Sequence, residues 1–192
     1  MALDAVAVFC GSRFGTDSRW TDLAATTGRR LAELGVTVVY GGGNVGLMGV
    51  VANAALEAGG DVIGVIPHQL DARELSHPGL TELHVVDDMH QRKALMAERS
   101  DAFITLPGGA GTLEEVTEQW TWAQLGIHAK PAAFLDTTFW APMRELVNRM
   151  VESGFVVAGQ PSIPWFGDDV DQAIAELERR CVLHPFDPED LV

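Results

Sequence analysis

Ala102-Phe103-Ile104-Thr105-Leu106-Pro107-Gly108-Gly109-Ala110-Gly111-Thr112-Leu113-Glu114-Glu115 decides the fold. A short apolar run, Ala102–Leu106, reads as a strand. Pro107 stops it, and three glycines lead into a helix at about Gly111–Leu125. Glycine lets a backbone approach a ligand closely. The first N–H groups of the helix lack internal partners and point outward, which makes an anion site. A strand, a glycine turn and a helix in that order form one half of a βαβ unit.

The same alternation extends in both directions. Strands are expected at Ala5–Cys10, Val36–Tyr40, Asp61–Ile66, Glu82–Val86 and Ala132–Leu135. Most are continuous apolar runs, as strands covered on both faces require. Helices are expected at about Ser18–Leu34, Leu47–Ala58, Met89–Ser100, Trp140–Glu152 and Asp169–Arg180. Strand–helix–strand alternation implies right-handed crossovers and a mostly parallel sheet. The expectation is an α/β fold, a single doubly wound Rossmann-like domain over residues 1–183, followed by an acidic tail at 184–192. The longest irregular connection is Pro67–Leu80. Ligands of such sheets bind at the carboxyl ends of the strands, so the loops after Cys10, Tyr40, Ile66, Val86 and Leu106 are the ones to read.

Composition narrows the partners. The chain has 192 residues, 47% of them hydrophobic, enough to bury a substantial core. No apolar run approaches the ~18–20 residues of a membrane span. The opening Met1-Ala2-Leu3-Asp4 has no basic n-region, so no signal peptide and a cytoplasmic location are expected. A net charge of −14 argues against a surface that tracks nucleic-acid phosphates. It still allows one small anion on a helix N-terminus. Cys10 and Cys181 are expected to stay unpaired, with Cys10 buried. The six histidines form no zinc-ligand spacing, and no metal site is expected.

Three segments carry chemistry. In Gly108–Glu115, Thr112 adds a hydroxyl to the anion site. Glu114 suits the helix macrodipole. Glu115, one turn in, would repel a phosphate but suits a sugar, where a carboxylate can orient water or stabilise an oxocarbenium-like transition state. The loop Tyr40-Gly41-Gly42-Gly43-Asn44-Val45-Gly46-Leu47-Met48-Gly49 matches neither the dinucleotide fingerprint nor a Walker loop. It is read equally as a tight βα turn or as a direct ligand contact. In Met89-His90-Gln91-Arg92-Lys93-Ala94-Leu95-Met96, the helical spacing of Met89 and Met96 reads as core. Arg92 and Lys93 are cations where the macrodipole disfavours them, which calls for a ligand or carboxylate partner. A solvated basic pair is the other reading.

Met89–Met96 (M-x-x-R-K-x-x-M) and Pro107–Glu115 (P-G-G-x-G-T-x-x-E) together resemble the Lonely Guy family, cytokinin riboside 5′-monophosphate phosphoribohydrolases often mislabelled as lysine decarboxylases. The resemblance takes in Val8-Phe9-Cys10-Gly11-Ser12, Gly41–Gly49 and Thr121-Trp122-Ala123-Gln124-Leu125-Gly126, and runs from about Ala5 to Arg180. It implies a catalytic pair at Arg92 and Glu115. It implies nucleotide contacts at Glu74, Arg92, Lys93, Gly109, Ala110, Gly111, Thr112, Leu113, Glu114, Glu115 and Thr121, with Gly108 in the phosphate turn. Ala110 departs from the Tyr common in plant members. The resemblance also implies a homodimer with the site near the subunit interface, where Trp120, Trp122 and Leu125 are read equally as interface or as core.

The implied reaction is hydrolysis of the N-glycosidic bond of an adenosine 5′-monophosphate, N6-substituted or plain, giving the free base (cytokinin or adenine) and ribose 5-phosphate. Alternatives are a general purine nucleotide nucleosidase and a non-catalytic nucleotide or molybdenum-cofactor carrier. An Arg92–Glu115 ion pair is expected to depress the Glu115 pKa and keep it charged as a base. No cofactor is expected. Pyridoxal phosphate would need a Schiff-base lysine, and Lys93 and Lys130 are the two lysines of the chain.

Overall fold

Along β1 (Ala5–Phe9), Val6 and Val8 face one layer of the protein, Ala7 and Phe9 face the other, and all four are buried. A strand covered on both sides needs helices above and below it. The computed structural model describes residues 3–71 and 76–183 and has that architecture. After β1 come α1 (Arg19–Glu33), β2 (Thr37–Tyr40), α2 (Gly46–Glu57), β3 (Val62–Pro67), the short α3 (His68–Asp71) and β4 (Glu82–Val86). Then follow α4 (Met89–Glu98), β5 (Ala102–Thr105), α5 (Ala110–Gln124), β6 (Ala132–Leu135), α6 (Ala141–Glu152), β7 (Trp165–Gly167) and α7 (Val170–Leu183).

The strands pair in the order β4-β3-β2-β1-β5-β6-β7, and every pairing is parallel. The mostly parallel sheet expected from the sequence is therefore wholly parallel among the described residues. Leu31 of α1, Val51 of α2 and Leu177 of α7 cover one face with Val6, Val38 and Ile104. Met96 of α4, Val116 of α5 and Val147 of α6 cover the other with Phe9, Phe103 and Phe134. No helix of the described residues is long and apolar enough to cross a membrane.

Two elements depart from the sequence expectation. β7 is three residues long and half-buried at the sheet edge, too short for an alternation pattern to register. α3 sits inside Pro67–Leu80, which the sequence marked as irregular. Beyond α3 the chain returns to the glycine loop: His77 donates its N–H to the Gly42 carbonyl at 2.9 Å, and Ser76 bridges Gly43. The 184–192 tail lies outside the described residues.

Strand order reverses direction at β1. From there the chain steps out through β2 and β3 to β4, then returns across α4 to β5 on the other side of β1. The loops after β1 and β5 leave on opposite courses, and the gap between them is where such sheets hold ligands. Gly11 donates to the Pro107 carbonyl at 3.1 Å and accepts from Leu47 N–H at 3.0 Å, so three loops are tied together at that point.

Candidate active site

A cavity of about 670 Å³ opens at this switch point, within the range of ~300–1,000 Å³ usual for small-molecule sites. Its floor and walls come from the carboxyl ends of β1, β2, β3 and β5 and from the residue stretch after β6. The glycine turn Gly108–Thr112 lines one side, and Gly41, Gly43, Val45, Leu47 and Met48 line another. The second glycine loop is thus both a tight turn and a cavity wall.

Two helices start at the cavity without a side-chain cap. α5 has Gly109 and α2 has Val45 at its N-cap, and neither gives a capping hydrogen bond. α4 differs: the Asp88 carboxylate accepts from the N–H groups of His90 and Gln91, both at 2.8 Å. The free N–H groups at the start of α5 remain available to an anion, and Thr112, buried beside them, adds its hydroxyl.

Arg92 reaches the cavity floor from the first turn of α4. Its Nε donates to the Val65 carbonyl at 3.1 Å, and its Nη1 lies 3.3 Å from Glu115 Oε1. Both side chains are almost fully buried, at 9% and 10% exposure. A Cβ built on Gly41 would stand 1.7 Å from Arg92 Nη2, so only glycine at that position leaves room for the guanidinium. The partner that the sequence called for at Arg92 is therefore Glu115.

The electrostatics correct one expectation. Burial pushes the Glu115 carboxyl pKa up, and this outweighs the lowering by Arg92; Glu114 and Glu118 add to the rise, and Lys93 opposes it. The ion pair does not depress the net value, because the same enclosure that brings Arg92 close also removes water. Cys10 lines the cavity, and burial beside Glu115 likewise pushes its thiol pKa up, so it stays protonated packing. It and Cys181 are both free.

The remaining sequence candidates divide. Arg92, Gly108, Gly109, Ala110, Gly111, Thr112 and Glu115 border the cavity. Lys93, Leu113, Glu114 and Thr121 do not appear on its lining. The Lys93 ammonium is buried between Glu114 and Glu118, with Glu118 Oε2 at 3.0 Å. Burial alone would lower its pKa, but those two carboxylates raise it overall. Thr121 sits on the outer side of α5, donating to the Thr117 carbonyl at 2.8 Å. Glu74 lies outside the described residues, although Leu70, just before that gap, lines the cavity. Of the two methionines expected in the core, Met96 is buried but Met89, the first residue of α4, is 42% exposed. Trp120 is buried and Leu125 is exposed. Arg13, Phe14, Trp20 and Phe139 also line the cavity, and sequence reasoning missed all of them. Each lies outside any recognisable motif.

The family model described as "Possible lysine decarboxylase" matches residues 48–177. A cytokinin riboside 5′-monophosphate phosphoribohydrolase of Rhodococcoides fascians is 48% identical over 174 residues, covering 90% of this chain and 88% of that one. The LOG3 enzyme of the same name from Arabidopsis thaliana is 43% identical over 180 residues, covering 93% and 84%. Among solved structures, the molybdenum cofactor carrier protein of Chlamydomonas reinhardtii superposes with a TM-score of 0.70 at 22% identity, covering 93% and 98%. The molybdenum cofactor binding protein of Rippkaea orientalis gives 0.70 at 21%, covering 91% and 95%. At those identities the two structures speak to the fold alone. The decarboxylase description finds no lysine at the cavity: Lys93 is held by two glutamates, and Lys130 donates to the Ala97 carbonyl.

Proposed function

The chain belongs to the Lonely Guy family of cytokinin riboside 5′-monophosphate phosphoribohydrolases, and from that premise we infer that it hydrolyses the N-glycosidic bond of an adenosine 5′-monophosphate, plain or N6-substituted. The products are the free base and ribose 5-phosphate. The buried Arg92–Glu115 pair, facing a cavity that ends on an uncapped helix N-terminus, carries this reading.

In the proposed mechanism the substrate phosphate rests on the N–H groups that open α5, with the Thr112 hydroxyl and a cavity cation beside it. Arg13 and Arg92 are the cations on the lining among the described residues. Fixing the phosphate fixes the ribose, which supplies orientation. Glu115 stands near the anomeric carbon. There it takes a proton from the attacking water and stabilises the positive charge that develops on the sugar. The C1′–N bond breaks with its electron pair passing to the base, which takes up a proton as it leaves. Arg92 holds Glu115 in place and favours its ionised form against burial. A carrier has no use for a carboxylate facing the sugar, so the pair favours the enzyme.

A homodimer in the cytoplasm completes the proposal. The outer side of α5 and the turn after it expose Leu113, Leu125 and Ile127. An apolar surface of this kind on a charged protein suits a second copy. Light scattering on the purified protein tests it, with a mass near twice 20.7 kDa expected and a monomer contradicting it.

Chromatography of AMP incubated with the protein tests the activity. Equimolar adenine and ribose 5-phosphate are expected. Adenosine and inorganic phosphate as products would overturn the reading.

A further inference from the structure

We propose that Trp20 and Phe139 form the subsite for the base of the nucleotide, and that Asp136 is the positioning residue that fixes both rings. The proposal rests on the nucleotide reading above. The cavity is amphipathic: Arg92, Thr112 and Glu115 make a polar part of its lining, and the touching rings of Trp20 and Phe139 make an aromatic part. A nucleoside monophosphate is amphipathic in the same sense. With the phosphate at the start of α5, its base falls to the aromatic part.

Asp136 follows β6 and adopts φ 79°, the one positive φ among described non-glycine residues. Such a backbone is a local cost that surrounding structure must hold in place. Here its N–H donates to the Gly167 carbonyl of β7 at 3.1 Å, and its carbonyl accepts from Trp140 N–H at 3.0 Å. The carboxylate is buried, and each oxygen serves one wall residue. Oδ1 accepts from the Phe139 backbone N–H at 2.9 Å, and Oδ2 accepts from the Trp20 indole N–H at 2.9 Å. Arg19 supplies the countercharge, with Nη2 3.3 Å from Oδ2. A carboxylate that merely started α6 would need only the first of these contacts. The second reaches 116 residues back along the chain to α1.

The two rings meet edge to face, 5.5 Å apart at 78°. Gly15, at φ 75°, packs against Trp20, and a Cβ there would come within 2.3 Å of the indole. The indole is therefore held by a hydrogen bond on its edge and by backbone packed against it. Its only N–H is already used by Asp136, so this wall recognises a base by stacking and shape rather than by donors. That chemistry takes a purine and tolerates apolar groups on its exocyclic nitrogen.

The test is calorimetric titration with AMP and with ribose 5-phosphate, in a Glu115→Gln background so that AMP is not consumed. Trp20→Leu and Asp136→Gly are expected to weaken AMP about tenfold, within the range for base–aromatic stacking, and to leave ribose 5-phosphate within about twofold. Glycine accepts φ 79° freely, so Asp136→Gly folds. Asp136→Asn keeps the backbone and one acceptor, and recovers part of the AMP affinity. Equal losses for both ligands, or unchanged AMP affinity in Asp136→Gly, overturn the proposal. A wild-type protein that binds AMP without cleaving it contradicts the activity and leaves these affinities readable.

Discussion

Arg92 and Lys93 are adjacent in sequence and face different surroundings: Arg92 Nη1 lies 3.3 Å from Glu115 Oε1 at the cavity floor, while Lys93 Nζ is buried between Glu114 and Glu118 behind it. One helix turn thus places two cations around one cluster of three glutamates. Both hold the Glu115 pKa down against burial, Arg92 by the larger effect.

Lys93→Gln removes one of those restraints. The Glu115 pKa then rises further, and because Glu115 acts as a base when ionised, the acid limb of kcat moves to higher pH. Glu114→Gln removes a charge that raises it, and moves the limb to lower pH. A pH–rate profile of each variant checks both signs. Limbs that stay in place in both variants contradict the electrostatic account.

Arg13 lines the cavity on the loop that Gly11 ties to Pro107, beside the phosphate turn. Arg13→Gln is expected to raise KM for AMP and the inhibition constant of ribose 5-phosphate together, by about tenfold, as the loss of one charge-assisted contact implies. kcat changes much less. Arg13→Lys restores part of the loss. Inhibition by ribose 5-phosphate that is unchanged in Arg13→Gln would place the phosphate elsewhere.

Gly41→Ala drives a methyl into the space of the Arg92 guanidinium. The chain still folds, because the displaced group is the end of a flexible side chain. The Arg92–Glu115 geometry is lost, and kcat/KM falls by about two orders of magnitude, the scale for a misplaced catalytic group. Steady-state kinetics beside a thermal melt separates the two effects.

His128 packs against Phe103 and Trp122, and its Nδ1 accepts from Lys130 N–H at 3.2 Å. Burial first, then the Lys130 charge, lowers its pKa from 6.5 to about 4. The unfolded chain takes up this proton below pH 6.5, and the folded chain refuses it until about pH 4. Stability from this group is present above pH 6.5 and is lost as pH falls toward 4. His128→Asn, whose Oδ1 can replace the Nδ1 acceptor, is expected to show a smaller drop in Tm between pH 7 and pH 4.5. An equal drop contradicts it.

Six strands were legible, most of them as apolar runs bounded by turn residues. β4 and β6 agree to the residue, β1, β2 and β5 differ by one residue at one end, and β3 is shifted by one residue at both ends. β7 was not legible, since three half-buried residues carry no period. The glycine turn was legible from spacing, because a helix start leaves N–H groups free to face a ligand, whereas Glu115 was singled out by the family resemblance. The Glu115 pKa was not legible: opposite charge can be read from a sequence, but the burial that outweighs it cannot. The aromatic wall was hidden for a related reason. Trp20, Asp136 and Phe139 meet only because α1 and the stretch after β6 converge at the cavity.

The most direct test compares wild type and Glu115→Gln for release of base from AMP and from isopentenyladenosine monophosphate, with AMP affinity measured on both proteins. Base released by the wild type, reduced at least about a hundredfold in Glu115→Gln with AMP binding retained, is the predicted result. Tight AMP binding by the wild type with no base released from either substrate would contradict the account and leave a nucleotide carrier in its place.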